Sequence, residues 1–187
     1  MKYREIRRRV LEHLDCYTRN GVEVPPAYNG QRDLMGRIPG LVNDAVTAIR
    51  GGVRPLWKRF TPVLGERTEE GLYRCALPED FRAIRTVEGE NWRMEDGKTL
   101  LLEKSCPVTY FCHPLLLPLD PGEEEEYGEE PDVLAAACCY AAAMLALPED
   151  EGAYAALMRR YESLARPAPV GAKRRVEDVY GFFGGGL

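Results

Sequence analysis

The amino-acid sequence predicts an α+β fold: a helical bundle of about four helices with a small antiparallel β insertion and an extended C-terminal tail. Apolar residues recur at intervals of three and four near both ends of the chain, which is the spacing of an amphipathic helix. Between residues 53 and 119 this periodicity disappears and turn-forming residues become frequent. With 187 residues, 45% of them hydrophobic, the chain is long enough for a substantial core.

Two helices are predicted in the first part of the chain. The first covers residues 2–17. Its apolar residues recur at helical spacing: Tyr3, Ile6, Val10, Leu14 and Tyr17. The second covers residues 32–50, and Pro39 is expected to interrupt it, because proline removes a backbone donor and clashes with the preceding turn. Gly51 and Gly52 are expected to end it.

Residues 53–119 are predicted to form the β insertion. Asp96-Gly97 is the strongest local signal, since it lies between NWRM and TLLL and suits the left-handed turn of a tight hairpin. Other candidate strands lie at residues 56–64, 72–76, 81–88 and 108–112. Together these segments predict one small antiparallel sheet of three to five strands.

A run of acidic residues follows the insertion. Residues 120–132 read DPGEEEEYGEEPD and contain eight acids and no base. Such a run repels itself and stays hydrated. Residues 120–130 are therefore predicted to form an exposed acidic loop, which includes Glu123, Glu124, Glu125 and Glu126.

Two further helices are predicted after the acidic loop. Pro131 suits the first position of a helix over residues 131–147, whose Ala-rich sequence favours a central place with closely approaching neighbours. Asp150 suits the cap of a helix over residues 150–165. Residues 1–166 are thus predicted to form a single α+β domain.

The remaining residues, 167–187, are predicted to form an extended C-terminal arm. Its end, KRRVEDVYGFFGGGL, places five apolar groups within eight residues, which is too few for a core and many to leave in water. One interpretation is a disordered terminus. The other is a segment that becomes ordered when it fills a groove or extends a sheet of another protein.

Composition and charge argue against several functions. The net charge of −5 disfavours broad nucleic-acid binding, which needs many cationic phosphate contacts. The most hydrophobic run, Val133–Leu147, has 15 residues, whereas a membrane span needs about 20, so no membrane contact is expected. The start of the chain is too charged for a signal peptide, so the six cysteines are expected to be reduced.

Catalytic motifs are absent from the sequence. It contains no GxSxG, HExxH, phosphate-binding loop or dinucleotide-binding motif, and its two histidines, His13 and His113, fall in different predicted elements. Cys112-His113 is the one adjoining Cys–His pair, whereas a zinc site needs about four ligands. We therefore expect a protein that is not an enzyme and holds no cofactor or metal.

Five segments of the chain form an ordered pattern. They are DLMGRIPGLVNDAVTAI (33–49), ALPEDFRAIRTV (76–87), KTLLLEKSCPVTYFCHP (98–114), the predicted helix pair at 131–164, and VEDVYG (176–181). In this order they resemble the head-to-tail connector, or adaptor, proteins of tailed bacteriophages. The resemblance covers nearly the whole chain.

The resemblance implies a structural protein of the virion, located at the head–tail interface and present in the host cytoplasm during assembly. Such adaptors form a homo-oligomeric ring, commonly a dodecamer, beneath the portal protein at the capsid vertex. The ring extends the DNA channel, through which DNA passes without specific binding. It also offers a platform for a downstream neck or tail completion protein.

Two site expectations accompany the resemblance. Connector arms dock on a neighbouring subunit or on the portal. The residues of this arm expected to make that contact are Arg174, Arg175, Val176, Val179, Tyr180, Phe182 and Phe183. The acidic loop is expected to face solvent or the channel lumen, where negative charge would not retain DNA phosphates.

A second hypothesis is a DNA-packaging or regulatory DNA-binding protein similar to a small terminase subunit. It would use the helical N-terminus to bind DNA and would need a compact helix-turn-helix with a basic face. The proline-rich loop at residues 19–30 and the acidic net charge argue against it.

Overall fold

The structure is a computed structural model of the chain. It describes residues 1–14, 18–19, 22–23 and 31–167, and for both short pairs and residues 31–33 it describes the backbone alone. The elements, in order, are α1 (Tyr3–His13), β1 (Thr18–Arg19), β2 (Val22–Glu23), α2 (Gln31–Ala48), a wide helical turn (Ile49–Val53), β3 (Trp57–Phe60), β4 (Tyr73–Ala76), β5 (Phe81–Val87), β6 (Trp92–Glu95), β7 (Thr99–Leu102), β8 (Val108–Cys112), α3 (Pro131–Ala146) and α4 (Glu151–Ala165).

Helix α3 lies at the centre of the helical part, because α1, α2 and α4 each pack against it. Most of its buried side chains are alanines, which let the neighbouring backbones approach closely. Helices α1 and α2 contribute large buried side chains to this core: Ile6, Val10, Ile38, Val42 and Val46. The burial of α3 on most of its sides fits its apolar composition.

The expected four-helix bundle with a small β insertion is wrong. A bundle places four helices around a shared core, whereas here one helix is itself the centre and α4 buries only Ala165 fully. The β part is also larger than expected, with six strands in two sheets between residues 57 and 112. The molecule is therefore an α+β mix. Helical periodicity predicts a buried face, but it does not say what covers that face.

The two sheets are antiparallel, with strand orders β3-β8-β5 and β4-β7-β6. The expectation of a single sheet is therefore wrong. Both sheets contribute to a second core, whose buried residues are Cys75, Leu100, Leu102, Cys106 and Val108. A strand's alternating pattern identifies the face that is buried but not the neighbouring strand, so the sequence could not separate two sheets.

The hairpin predicted at Asp96-Gly97 is confirmed. It joins β6 to β7, and the N–H of Lys98 donates to the carbonyl of Glu95 at 3.3 Å to close the turn. Asp96 and Gly97 both have positive φ, 56° and 66°. This is the left-handed conformation that a tight hairpin turn requires and that these two residue types tolerate.

The predicted helices are present with changed bounds. Helix α1 occupies part of the predicted range, and residues 15–17 lie outside the described residues. Helix α3 begins at Pro131 as expected. Asp150 caps α4, because its carboxylate accepts a hydrogen bond from the N–H of Ala153 at 2.8 Å.

Helix α2 continues through Pro39, so the expected interruption there is wrong. Proline leaves the carbonyl four residues earlier, that of Met35, without its helical donor. The hydroxyl of Tyr3, on α1, donates to this carbonyl at 3.4 Å. Beyond the proline, Val42 and Val46 are fully buried in the helical core. Contacts with other helices thus compensate for a residue that disfavours the helix locally.

A buried ion pair joins the end of α2 to the chain that precedes α3. Arg50, in the wide helical turn, donates from Nε to Glu129 at 2.7 Å, and their side chains are only 4% and 8% exposed. Burial by itself lowers the pKa of Arg50, but hydrogen bonds and charges from Glu129 and Glu130 outweigh it and raise that pKa. Arg50 therefore stays charged and holds this part of the chain in place.

We expect Glu129→Ala to lower the free energy of unfolding by about 3 kcal/mol, because it leaves the buried Arg50 without its main carboxylate partner. Urea unfolding followed by circular dichroism measures the loss. The control is R50M/E129L, which removes both charges and should lose much less stability. An equal loss in both variants would show that packing, and not the unpaired charge, is responsible.

Candidate functional site

The acidic segment, defined as residues 120–130, is hydrogen-bonded to the start of α1. The N–H of Tyr3 donates to the carbonyl of Glu125 at 2.9 Å. The N–H of Arg4 donates to the carbonyl of Glu123 at 3.1 Å. Both donors belong to the first turn of the helix, where N–H groups have no partner within the helix. The acidic segment therefore completes the N-terminus of α1.

Two glutamates of the acidic segment also pair with basic side chains near the N-terminus of the chain. Glu124 accepts hydrogen bonds from Lys2 Nζ at 2.5 Å and from Arg4 Nη1 at 2.6 Å, and Glu123 pairs with Arg7. The hydrogen bond from Lys2 lowers the pKa of Glu124. Exposed ion pairs of this kind each contribute little stability. The backbone hydrogen bonds therefore do more to position the segment.

The side chains of Glu123, Glu124, Glu125 and Glu126 are all exposed. The sequence did not predict that basic residues at the start of the chain pair with two of these glutamates and offset part of the repulsion. Tyr127, which follows the four glutamates, is buried in the helical core. That any of the glutamates faces a channel lumen stays a prediction.

The predicted contact residues of the C-terminal arm lie outside the described residues, which end at Pro167. They are Arg174, Arg175, Val176, Val179, Tyr180, Phe182 and Phe183. Their role stays a prediction. The structure does, however, show a different apolar surface within the folded part of the chain.

The leucine segment, defined as residues 114–119 (PLLLPL), follows β8 and connects the sheets to the acidic segment. Leu115 and Leu119 are 76% and 78% exposed, and Leu116 is more than half exposed. Leu117 lies between them and is buried in the helical core. Single exposed leucines are common, whereas clustered exposed apolar residues mark candidate contact surfaces, so these three leucines make the segment a candidate site.

Asn43 of α2 holds the leucine segment in position. Its side-chain nitrogen donates to the carbonyl of Leu117, and its side-chain oxygen accepts the N–H of Leu117, both at 2.8 Å. These two hydrogen bonds satisfy both backbone groups of a buried residue that belongs to no strand. The exposed leucines on either side are therefore already placed before any partner binds.

A groove of about 280 Å³ adjoins the leucine segment and is lined by Trp57 and Leu115, among others. Lys58 and Asp80 also line it, and they pair with each other at 2.6 Å. Trp57 is more than half exposed, with the guanidinium of Arg85 over its ring. The groove therefore combines exposed apolar side chains with two charged side chains that pair with each other.

Sequence reasoning missed the leucine segment, although a signal was present. Four leucines stand between or beside Pro114 and Pro118. Two prolines at this spacing disfavour both a helix and a central strand. A segment without regular structure cannot direct four consecutive or nearly consecutive leucines to one buried face, so some of them had to remain exposed.

The cysteines offer little chemistry. The five described cysteines are all buried. Burial raises the pKa of each thiol, and that of Cys138 reaches about 12. Reaction requires the thiolate, so these thiols are held in an unreactive form.

Within residues 1–14 and 31–167, no group of three or more His, Cys, Asp or Glu side chains is placed to hold a metal ion.

A scan against models of known protein families finds no match for this chain, and a search of curated proteins finds none either. Among the described helices, none is long and apolar enough to cross a membrane. The function must therefore be inferred from the surfaces described above together with the sequence.

We expect Asn43→Ala to lower the free energy of unfolding by about 1–3 kcal/mol, because two buried backbone groups of Leu117 lose their partners. Amide hydrogen exchange should show faster exchange at Leu117. Asp44→Ala, at the exposed neighbouring position of α2, is the matched control and should change neither quantity. Unchanged exchange at Leu117 in the Asn43 variant would contradict the positioning role.

Proposed function

We propose that this chain is a subunit of the connector ring that joins the portal of a tailed bacteriophage to its neck or tail. The leucine segment carries the proposal, since exposed leucines that are positioned before binding fit a protein whose task is to contact other proteins. The five ordered sequence segments that resemble connectors support the same function. The subunit would act without catalysis and without a cofactor.

The leucine segment is assigned to the contact between neighbouring subunits. A closed ring repeats one contact, made by two different patches, in every copy. Burying apolar surface is the main source of stability for such a contact. The C-terminal arm, with Tyr180, Phe182 and Phe183, is then available for the portal.

The charge distribution favours a connector over a small-terminase-like DNA-binding protein. The DNA-binding alternative uses the basic N-terminal helix, but Arg4 and Arg7 of that helix already have carboxylate partners in Glu124 and Glu123. The net charge of −5 further disfavours a phosphate contact. DNA would therefore pass through the ring without specific binding.

Electron microscopy of the protein mixed with portal particles tests the proposal. The wild-type chain should give ring-capped portals. The variant L115S/L116S/L119S should remain folded, because the three leucines are exposed, and should lose the rings. V63S, which changes an isolated exposed valine, is the matched control and should cap portals normally.

A chain that lacks residues 176–187 should also remain folded and should fail to attach to portals. Attachment that survives this deletion would remove the arm from the proposal. A salt-sensitive complex with DNA in the absence of portal binding would contradict the connector function and support the DNA-binding alternative.

A further inference from the structure

A cleft between α1 and α4 carries positive charge that the proposed function leaves unused. The arginine cleft, defined by Arg9, His13, Cys139 and Arg160, encloses about 300 Å³. Helix α1 contributes the first two residues and α4 contributes Arg160, while Cys139 of α3 forms part of the floor. Three different helices therefore build the cleft, which makes its geometry a property of the folded core.

Within the described residues, the two arginines of the cleft have unused hydrogen-bond donors. Glu12 also lines the cleft, but its carboxylate pairs with Arg8 at 2.8 Å. In the part of the chain that the structure describes, neither Arg9 nor Arg160 forms an ion pair. Two guanidinium groups beside an open cavity form a site for an anion, and carboxylates match their geometry.

His13 lies beside these charged groups, and its pKa responds to them. Burial lowers its pKa, and the charges of Arg160 and Arg9 lower it further, while that of Glu12 acts in the opposite direction. Cys139 Sγ lies 3.7 Å from His13 Nε2, but its pKa is raised by burial, so it supplies no negative charge. An anion in the cleft would favour the protonated imidazole and raise the pKa of His13.

The acidic segment has carboxylates that match this site. Within each chain, Glu123 and Glu124 already bind basic residues at the start of α1. Glu125 and Glu126 are exposed, and neither forms an ion pair within the described residues. Their backbone is held by α1 and its preceding residue, so both side chains are presented from a fixed position.

The cleft and the acidic segment of one chain lie on different sides of α1. Arg9 is two residues beyond Arg7, which corresponds to a rotation of about 200° around a helix. Arg7 is the residue that pairs with the chain's own acidic segment. Arg9 and His13, four residues apart, share the other side. A chain therefore offers its cleft and its acidic segment to two different neighbours.

We propose that the arginine cleft binds the carboxylates of Glu125 and Glu126 from the acidic segment of a second copy of this chain. The contact is heterologous, since one patch of each copy meets a different patch of the next, and such contacts generate rings when the rotation closes. That the second copy is a neighbour in a ring rests on the proposed function. The contact also removes both glutamates from a channel lumen, so it excludes the lumen-facing expectation for these two residues.

Nuclear magnetic resonance of the full chain tests the contact directly, because the sequence has only two histidines. The probe is a peptide with the sequence of residues 120–132. It should raise the pKa of His13, and the chemical shifts of the distant His113 ring should not respond to the peptide. Binding should therefore strengthen as the pH falls through the pKa of His13. A peptide that carries E125Q and E126Q should bind about tenfold more weakly, as expected for the loss of charge-assisted hydrogen bonds.

Variants of the protein sharpen the test. R9Q/R160Q should weaken peptide binding at least about tenfold and keep the wild-type melting temperature, because both side chains are exposed. R4Q, at an arginine that already has a carboxylate partner, is the matched control and should bind like the wild type. No response of His13, or an equal response to the E125Q/E126Q peptide, would overturn the proposal. A response to duplex DNA but not to the peptide would overturn it in favour of a phosphate site.

A charge exchange tests the contact in the assembled ring. R9E/R160E and E125K/E126K should each fail to form rings on portals, and an equal mixture should restore rings in which the two variants alternate. Rings formed by each variant alone would overturn the contact and leave the connector function standing. If the wild-type chain forms no rings, the connector function fails, and the peptide titration still decides the contact.

Discussion

The packing of α3 against its surroundings is the interaction on which the rest of the molecule depends. This helix is apolar on most of its sides and must therefore be covered on most of them. Three helices supply most of the cover, and Leu117 and Tyr127 from the connecting chain complete the same core. Because these two residues are buried there, the exposed residues next to them acquire defined positions. The positions of the leucine segment and of the acidic segment are thus both consequences of how one alanine-rich helix is buried.

The charged residues act in two different ways. The pair of Arg50 and Glu129 is buried, so the loss of one partner would leave a charge that water cannot reach. The pairs that join Glu123 and Glu124 to the start of α1 are exposed, so each contributes little by itself. The buried pair positions the end of the acidic segment, and the backbone hydrogen bonds of α1 position its middle. The exposed pairs engage Glu123 and Glu124, whereas Glu125 and Glu126 form no ion pair within the described residues.

Much of the local structure could be predicted because it depends on neighbouring residues. Pro131 opens α3, Asp150 caps α4, and Asp96-Gly97 forms a hairpin turn, each for reasons contained within a few positions. The break predicted at Pro39 failed for the opposite reason. Its missing donor is compensated by a hydroxyl from α1, and no inspection of α2 alone reveals that partner.

The sequence by itself determined where helices and strands occur, which residues favour burial, and that a dense acidic run lies between the β part and the last helices. Only the tertiary structure decided that six strands divide into two sheets, that α3 is the centre, and that the acidic segment binds α1. It also decided which leucines of PLLLPL remain exposed, because Asn43 hydrogen-bonds both backbone groups of Leu117 and so positions Leu117 in the core. The physical reason is that periodicity and turn chemistry act between near neighbours, whereas pairing, burial and charge compensation join residues that are distant along the chain.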